Sequence, residues 1–272
     1  MIVERACAKL NLTLRVVGRR ADGYHLLDSL VAFADVADDI AIQAASVFSL
    51  AIDGPFAKDL PAPDNLVERA ARALAAHLGR APEVSIRLTK NLPVASGIGG
   101  GSADAAATLR GLSKLWNAPI PAGLPEKLGA DVKVCLAQRP AWMSGIGEIV
   151  EPVDPLPPWG VVLVNPGVPL PTASVFKARV GPYSAPRRIA PTLENLAGDG
   201  NGLEAAAIGL VPAIVDVLAR LRRAPGARVT RLSGSGATCF ALFDGPAAAR
   251  TAASALKKSA PSGWWIAAGA LA

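Results

Sequence analysis

"NLPVASGIGGGSADAAATLRGL", residues 91–112, sets four glycines and two serines within the seven positions 96–102, directly ahead of an alanine-rich segment with helical spacing. The preceding "EVSIRLTK", residues 83–90, alternates apolar and polar, the period of a strand. Strand, glycine loop and helix therefore follow in that order. The first N–H groups of a helix have no intrahelical partners and carry partial positive charge. Glycines ahead of them let the backbone turn tightly and approach a ligand with no Cβ in the way. The combination predicts an anion site, typically for phosphate; the alternative is a glycine turn serving only close packing. Two familiar phosphate motifs are excluded. A P-loop requires Lys after its last glycine, and here Ser102 and Ala103 follow Gly101. The dinucleotide fingerprint fits Gly97 and Gly99 but then demands glycine at 102, which is serine.

Outward from this loop the pattern is mixed. "AKLNLTLRVV" (8–17) and "DDIAIQAASVFSLAID" (38–53) read as strands. Asp64 precedes a helix over "NLVERAARALAAHLG" that ends at Gly79, and a second helix runs from about Gly101 to Trp116. "PVDPLPPWG" (152–160) is proline-rich and reads as a linker, so the expected domains are 1–152 and 153–272. The second half carries a buried-looking strand "GVVLVNP", short helices near 173–180, 203–208 and 212–222, and strands around "RLSGSGATCFALF". A helix "PAAARTAASALKKS" and a last strand "GWWIAAGAL" follow. Strands and helices without strict alternation predict an α+β fold, helices layered on mostly antiparallel sheet.

Composition narrows the setting. The formal net charge is +6, but the arginine pairs 19–20, 187–188 and 222–223 are dispersed and no basic stripe is interleaved with aromatics. A basic cleft for small anionic substrates is expected, not a nucleic-acid partner. Glu4, Arg5 and Lys9 interrupt the N-terminus, so no signal-peptide core is read there. The uncharged run 156–176 holds five prolines and two glycines, a poor membrane helix. Three scattered cysteines without CxxC spacing fit a reducing compartment and indicate neither a disulfide framework nor a zinc site. A cytoplasmic protein is expected, with no membrane partner and no dedicated protein metal site, as a monomer or weak homodimer.

The run from Pro93 to Ser102 resembles the ATP-phosphate loop of the GHMP kinase superfamily, P-x-x-x-G-[LI]-G-[GS]-[GS]-S. "ACAKLNLTLRVVGRRADGYHLLDSLVAFAD" (6–35), "LGADVKVCL" (128–136), "NPGVPLPTASVF" (165–176) and "RLSGSGATCFALF" (231–243) are similar to motifs of one family within it. That family's acceptor is the 2-hydroxyl of 4-(cytidine 5'-diphospho)-2-C-methyl-D-erythritol. "PDNLVERAA", "LTKNLP" and "GIGEIVEPV" match as well, so the resemblance covers nearly the whole chain. It implies an N-terminal ribosomal-protein-S5-like ATP-binding domain and a C-terminal ferredoxin-like domain, with both substrates in a cleft between them. ATP is the implied co-substrate, and Mg²⁺ is inferred from the triphosphate charge. The rivals are another GHMP kinase, of homoserine or mevalonate type, and a non-catalytic nucleotide- or RNA-binding relative.

Carried onto this sequence, the resemblance implies Asp131 as catalytic base and Lys9 as the cation that holds it ionised and offsets phosphate charge. The alternatives are an aspartate capping the turn in "GAD" and a lysine on the wet face of a strand. Asn11 projects from the same strand face as Lys9 and is implied at the acceptor end of the substrate. Tyr24 and His25 follow the turn "ADG"; the resemblance assigns them to cytosine, with Phe176 closing a ring sandwich and Thr172 nearby. The alternative is a hairpin-corner tyrosine with a structural histidine. Asn65 and Lys90 are implied near adenine, or else serve as a helix-end residue and a solvated strand-end charge. Pro93, Gly97, Gly99, Gly100, Gly101, Ser102 and Ala103 are implied around the phosphates, and Gly234 and Gly236 form a third-motif turn. The sequence departs from the family at Lys133, where proline is usual, and at Cys7, Ser96 and Ala103. A lysine at 133 restores an N–H and sets a cation two residues from Asp131.

Overall fold

A computed structural model describes residues 1–60 and 65–271. The expected capping residue Asp64 lies outside the described residues; the residue that caps the helix is Asn65, whose Oδ1 accepts from Val67 N at 2.8 Å. The elements in chain order are β1 (Ile2–Asn11), β2 (Arg15–Arg19), β3 (His25–Ala44), β4 (Ser49–Asp53), α1 (Leu66–His77), β5 (Val84–Thr89) and α2 (Gly100–Trp116). Then come α3 (Leu124–Leu128), α4 (Val132–Ala137), β6 (Ala141–Gly145), β7 (Ile149–Pro152), β8 (Gly160–Asn165), α5 (Thr172–Ala178), α6 (Leu193–Ala197) and α7 (Glu204–Leu210). The chain ends with α8 (Ala213–Arg223), β9 (Val229–Leu232), β10 (Cys239–Phe243), α9 (Pro246–Ser259) and β11 (Trp265–Ala270). This is the expected α+β class.

By packing, the described residues form two compact units. The first comprises residues 1–8, 37–94 and 99–138; the second comprises 9–36, 95–98 and 139–272. The strands β1 and β3 contribute residues to both. The expectation of one strand across 38–53 is replaced by two, because β3 begins at His25 and runs 20 residues, and a turn at 45–48 separates it from β4.

In the first unit, β5 pairs antiparallel with the end of β3 (Asp39–Ala44) and parallel with β4. Helices α1 and α2 pack on each other and bury Val67, Ala70, Ala71, Leu74 and Ala75 against a face of alanines, Leu109 and Leu112. Alanine suits this because the α2 backbone lies close on its neighbours. A Cβ on Gly111 would come within 2.6 Å of Ile42 Cδ1. The alanine richness of the chain is thus a close-packing device, with small side chains filling the space at interior density.

In the second unit, the start of β3 pairs antiparallel with β2 and β6, and β6 pairs with β7. A separate antiparallel sheet has the order β11-β8-β10-β9. Its β8 is buried at every residue, which explains the continuous apolar run "GVVLV". Helices α8 and α9 cover this sheet through Ile214, Val217, Leu218, Leu221, Ala249, Ala252 and Ala253, joined to Val162, Val164, Ala241 and Phe243 in one core.

Candidate active site

In the first unit, the alternation of β5 ends at Thr89, and Lys90 turns its side chain inward, 2% exposed. Its ammonium donates to Asp38 Oδ2 at 2.5 Å and to Asp104 Oδ2 at 2.7 Å, and both carboxylates are buried. Asp38 Oδ1 also accepts from the N–H groups of Asn91 (2.6 Å) and Leu92 (2.8 Å). Two carboxylates and one ammonium thus fix the start of the glycine loop, and Lys90 is not the solvated strand-end charge of the alternative reading. Burial alone lowers a lysine pKa, but here the charges of Asp104 and Asp38 outweigh it and raise it. Burial, reinforced by the charge of Asp38, pushes the Asp104 carboxyl up to about 7 against the pull of Lys90.

The loop then enters α2 through Gly99, whose φ of +66° is left-handed, a conformation costly for other residues. No side chain caps α2 and no acidic residue stands in its first turn, so its first amides are left without a side-chain acceptor there. The exposed Gly101 lies against Leu66, which follows the capping Asn65. Asn65 therefore begins a second helix beside the first turn of α2. Ser102 Oγ lies 3.8 Å from the point where Gly129 would carry a Cβ, so "GAD" borders the same turn. Asp131 stands at the N-terminal boundary of α4, and its carboxylate forms no capping bond there, contrary to the capping alternative. Arg110 tethers α4 to α2, donating to Cys135 O at 3.0 Å and to Glu4 Oε2 at 2.9 Å.

In the second unit, Lys9 N donates to Ile98 O at 2.9 Å, joining the end of β1 to the glycine loop. Lys9 Nζ donates to Asn11 Oδ1 at 3.0 Å, and Asn11 Nδ2 donates to Ser29 Oγ at 2.8 Å. Both side chains are buried and share one strand face, so Lys9 is not on a wet face. Ser233 joins three motifs: its hydroxyl accepts from Asn11 N at 3.3 Å and donates to Gly97 O at 3.0 Å. Thr238 N donates to Ser96 O at 3.1 Å, and Thr172 Oγ1 lies 3.0 Å from Ser235 Oγ. Gly97 and the Gly234–Gly236 turn are in backbone contact. The close-packing reading of the glycines therefore holds at Gly97, while Gly100, Gly101 and Ser102 form the first turn of α2.

His25 opens β3 and stacks on Phe176 of α5, ring centroids 5.1 Å apart and 24° between planes. The ring paired with Phe176 is thus that of His25. Tyr24, the preceding residue, is 61% exposed, because neighbouring side chains of an extended chain point to opposite faces. Tyr183 meets His25 edge-on at 6.5 Å, and the Arg179 guanidinium lies over Tyr183 at 5.1 Å. Burial, then the charges of Arg19 and Arg179, hold the His25 pKa below its usual value, so its ring is neutral at pH 7 and presents one donor and one acceptor.

Sequence reasoning missed Asp38, Asp104, Ser233 and Tyr183. Asp104 had a signal: it is the single acid in "SADAAATL", an otherwise small and apolar helix face.

Two family matches cover this framework: "GHMP kinases N terminal domain" over residues 65–143 and "GHMP kinases C terminal" over 186–262. The 4-diphosphocytidyl-2-C-methyl-D-erythritol kinase of Paramagnetospirillum magneticum is 50% identical, with 96% of this chain and 95% of that protein covered. The protein of the same name from Paracoccus denitrificans is 53% identical, with 99% and 96% covered. The chain belongs to the 4-diphosphocytidyl-2-C-methyl-D-erythritol kinase family of GHMP kinases. A solved structure, "Crystal structure of 4-(cytidine 5'-diphospho)-2C-methyl-D-erythritol kinase", superimposes with a TM-score of 0.85 at 37% identity and 99% coverage of both chains. A homoserine kinase from Cytophaga hutchinsonii gives 0.70 at 20% identity, which shows a common fold alone. As a GHMP kinase the protein is a phosphotransferase with an alcohol acceptor.

The kinase fold also accounts for the Lys133 departure. Lys133 is exposed at the second position of α4 and pairs with Glu126 at 3.1 Å, its cation directed to that partner. Proline is tolerated in the first turn of a helix, where an intrahelical bond is not required of the N–H. Lys133→Pro is therefore expected to leave kcat within about twofold, since an exposed ion pair of this kind contributes only ~0–1 kcal/mol. Steady-state kinetics on the two proteins measure this, and a tenfold rise in kcat would show that the lysine hinders the catalytic segment.

Proposed function

We propose that this kinase transfers the γ-phosphoryl group of ATP to the 2-hydroxyl of 4-(cytidine 5'-diphospho)-2-C-methyl-D-erythritol, in the cytoplasm, as a step of the non-mevalonate route to isoprenoid precursors. One observation carries the reading from the protein side: the first turn of α2, without cap or acidic side chain, is bordered by Gly129 of the "GAD" segment. Residues 1–152 form the proposed nucleotide-binding domain and residues 153–272 the C-terminal one. Pro93, Gly97, Gly99, Gly100, Gly101, Ser102 and Ala103 are the proposed phosphate loop, with Asn65 and the Lys90 segment toward adenine. Magnesium enters bound to the nucleotide and offsets the triphosphate charge.

In the proposed reaction Asp131 accepts a hydrogen bond from the 2-hydroxyl and orients it in line with the γ-phosphorus. As the new O–P bond forms and the bond to the ADP oxygen breaks, the hydroxyl proton passes to the Asp131 carboxylate. Lys9 offsets charge on the moving phosphoryl group. Asn11 bonds the methylerythritol end, and Thr172 stands with Phe176 on α5 at the cytosine end. Tyr24, His25 and Phe176 recognise cytosine by stacking and by the neutral imidazole edge.

The test mixes the protein and Mg-ATP with the cytidylyl-methylerythritol, homoserine or mevalonate and follows ADP release. Release with the first acceptor alone is expected; release with either of the others and none with the first defeats the reading. Phe176 also packs on the core, so Phe176→Leu keeps burial while removing the ring face. It is expected to raise KM for the cytidylyl substrate about tenfold, the equivalent of roughly 1.4 kcal/mol of lost stacking. KM for ATP and kcat should change little; an unchanged acceptor KM would remove Phe176 from the base site.

A further inference from the structure

The buried cluster Asp38–Lys90–Asp104 is larger in charge than loop anchoring requires. Asp38 alone holds the backbone at Asn91 and Leu92 and binds Lys90. Asp104 adds a second carboxylate, 2% exposed and one turn inside α2. Its Oδ2 accepts from Lys90, and its Oδ1 is buried with no hydrogen-bond partner. The cluster lies directly under the phosphate loop: a Cβ on Gly100, the first residue of α2, would sit 3.2 Å from Lys90 Nζ and 3.9 Å from Asp38 Oδ2. With both carboxylates ionised the cluster carries −1; with Asp104 protonated it is neutral. A negative charge buried beneath the turn that receives an anion opposes binding through a medium that screens poorly.

We propose that Asp104 is a positioning residue that sets the charge beneath the phosphate loop, and that nucleotide binding is coupled to uptake of a proton on its carboxyl. This rests on the phosphate-loop assignment above. The partnerless Oδ1 is where the proton resides. Raising the Asp104 pKa to about 7 in the free protein puts the equilibrium where a nearby phosphate can shift it. From β3 the Asp104 carboxyl is faced by Asp38 and from the end of β5 by Lys90. On α2 itself, Arg110 and Lys114 are held by Glu4 of β1. On α1, Glu68 and Arg72 pair with each other at the surface, and on α4 Lys133 pairs with Glu126 of α3. By linkage, a nucleotide that raises the Asp104 pKa by one unit binds about tenfold more tightly to the protonated form. Affinity then falls as pH rises through 7, the reverse of what ionisation of a phosphate ligand alone gives.

Calorimetric titration of the full-length protein with Mg-ATP, in buffers of different ionisation enthalpy at pH 7.5, counts the protons taken up. Uptake of a fraction of a proton per nucleotide is expected, with Kd rising about tenfold between pH 6 and 9. Asp104→Asn, nearly isosteric, should bind with a flat pH profile and no uptake. Asp38→Asn reports the same exchange with Asp104 in place: its pH profile should remain, shifted to lower pH. Binding by the unaltered protein with no proton exchange overturns the proposal whether or not either variant folds. Absence of nucleotide binding at any pH overturns the phosphate-loop assignment along with it.

Discussion

Replacing Asp131 by Asn is expected to lower kcat by about 10²–10⁴-fold, the range typical of a lost general base, while Kd for nucleotide stays within about twofold. The asymmetry follows from position. Asp131 stands ahead of α4, behind the Gly129 that borders Ser102, and its carboxylate is not spent on capping the helix. Asparagine keeps the size and can still accept a hydrogen bond, but it cannot take the proton. Single-turnover phosphoryl transfer separates this from slow product release, and equilibrium titration reads nucleotide affinity. A loss of only a few-fold would assign catalysis to placement and charge, with Lys9 and the loop amides carrying it. Unchanged turnover would take Asp131 out of the mechanism.

Gly97→Ala is expected to destabilise the fold and abolish useful activity together. Gly97 has φ +75°, and a Cβ there would stand 2.4 Å from Ser233 O and 2.5 Å from Gly236 N. Both obstacles are backbone atoms of the third-motif turn, so no side-chain rotation relieves the overlap. Left-handed strain and overpacking each cost about 1–3 kcal/mol. Their combination, about 2–6 kcal/mol, should lower the melting temperature by roughly 4–24 °C for a domain of this size. The bonds from Ser233 to Gly97 and to Asn11 would be lost with it. Gly123→Ala is the control: its φ is +80° but nothing lies within 4 Å of the added Cβ, so strain acts alone. Equal thermal shifts in the two variants would show that backbone strain, and not the contact with Ser233 and Gly236, decides the outcome.

Much of this was readable along the chain because it is local. The alternation of β5, the glycines and the small-residue helix α2 are adjacent in sequence, and each is specified by backbone geometry. The helices α2 and α9 fall at or within one residue of their expected bounds for the same reason. The 20-residue β3 was not legible. Its two ends pair with different strands, β6 near its start and β5 near its end, so its length reflects partners far away in the chain. Tyr183 was missed because nothing near it in the sequence marks it; its contact with His25 spans 158 positions.

The residues themselves determined that a glycine-lined stretch would open a helix with uncapped amides, because orphan amides and the absence of Cβ are properties of a short stretch of backbone. Only the folded arrangement decided the state of the charges around it. Lys90 reads as a strand-end cation, and Asp38 and Asp104 as two acids 66 residues apart. Their meeting in a buried cluster beneath Gly100 makes one a loop anchor and the other a proton acceptor poised near neutral pH. Ionisation depends on which charges stand within a few ångströms and on how little water screens them, and both are fixed by packing between segments distant along the chain.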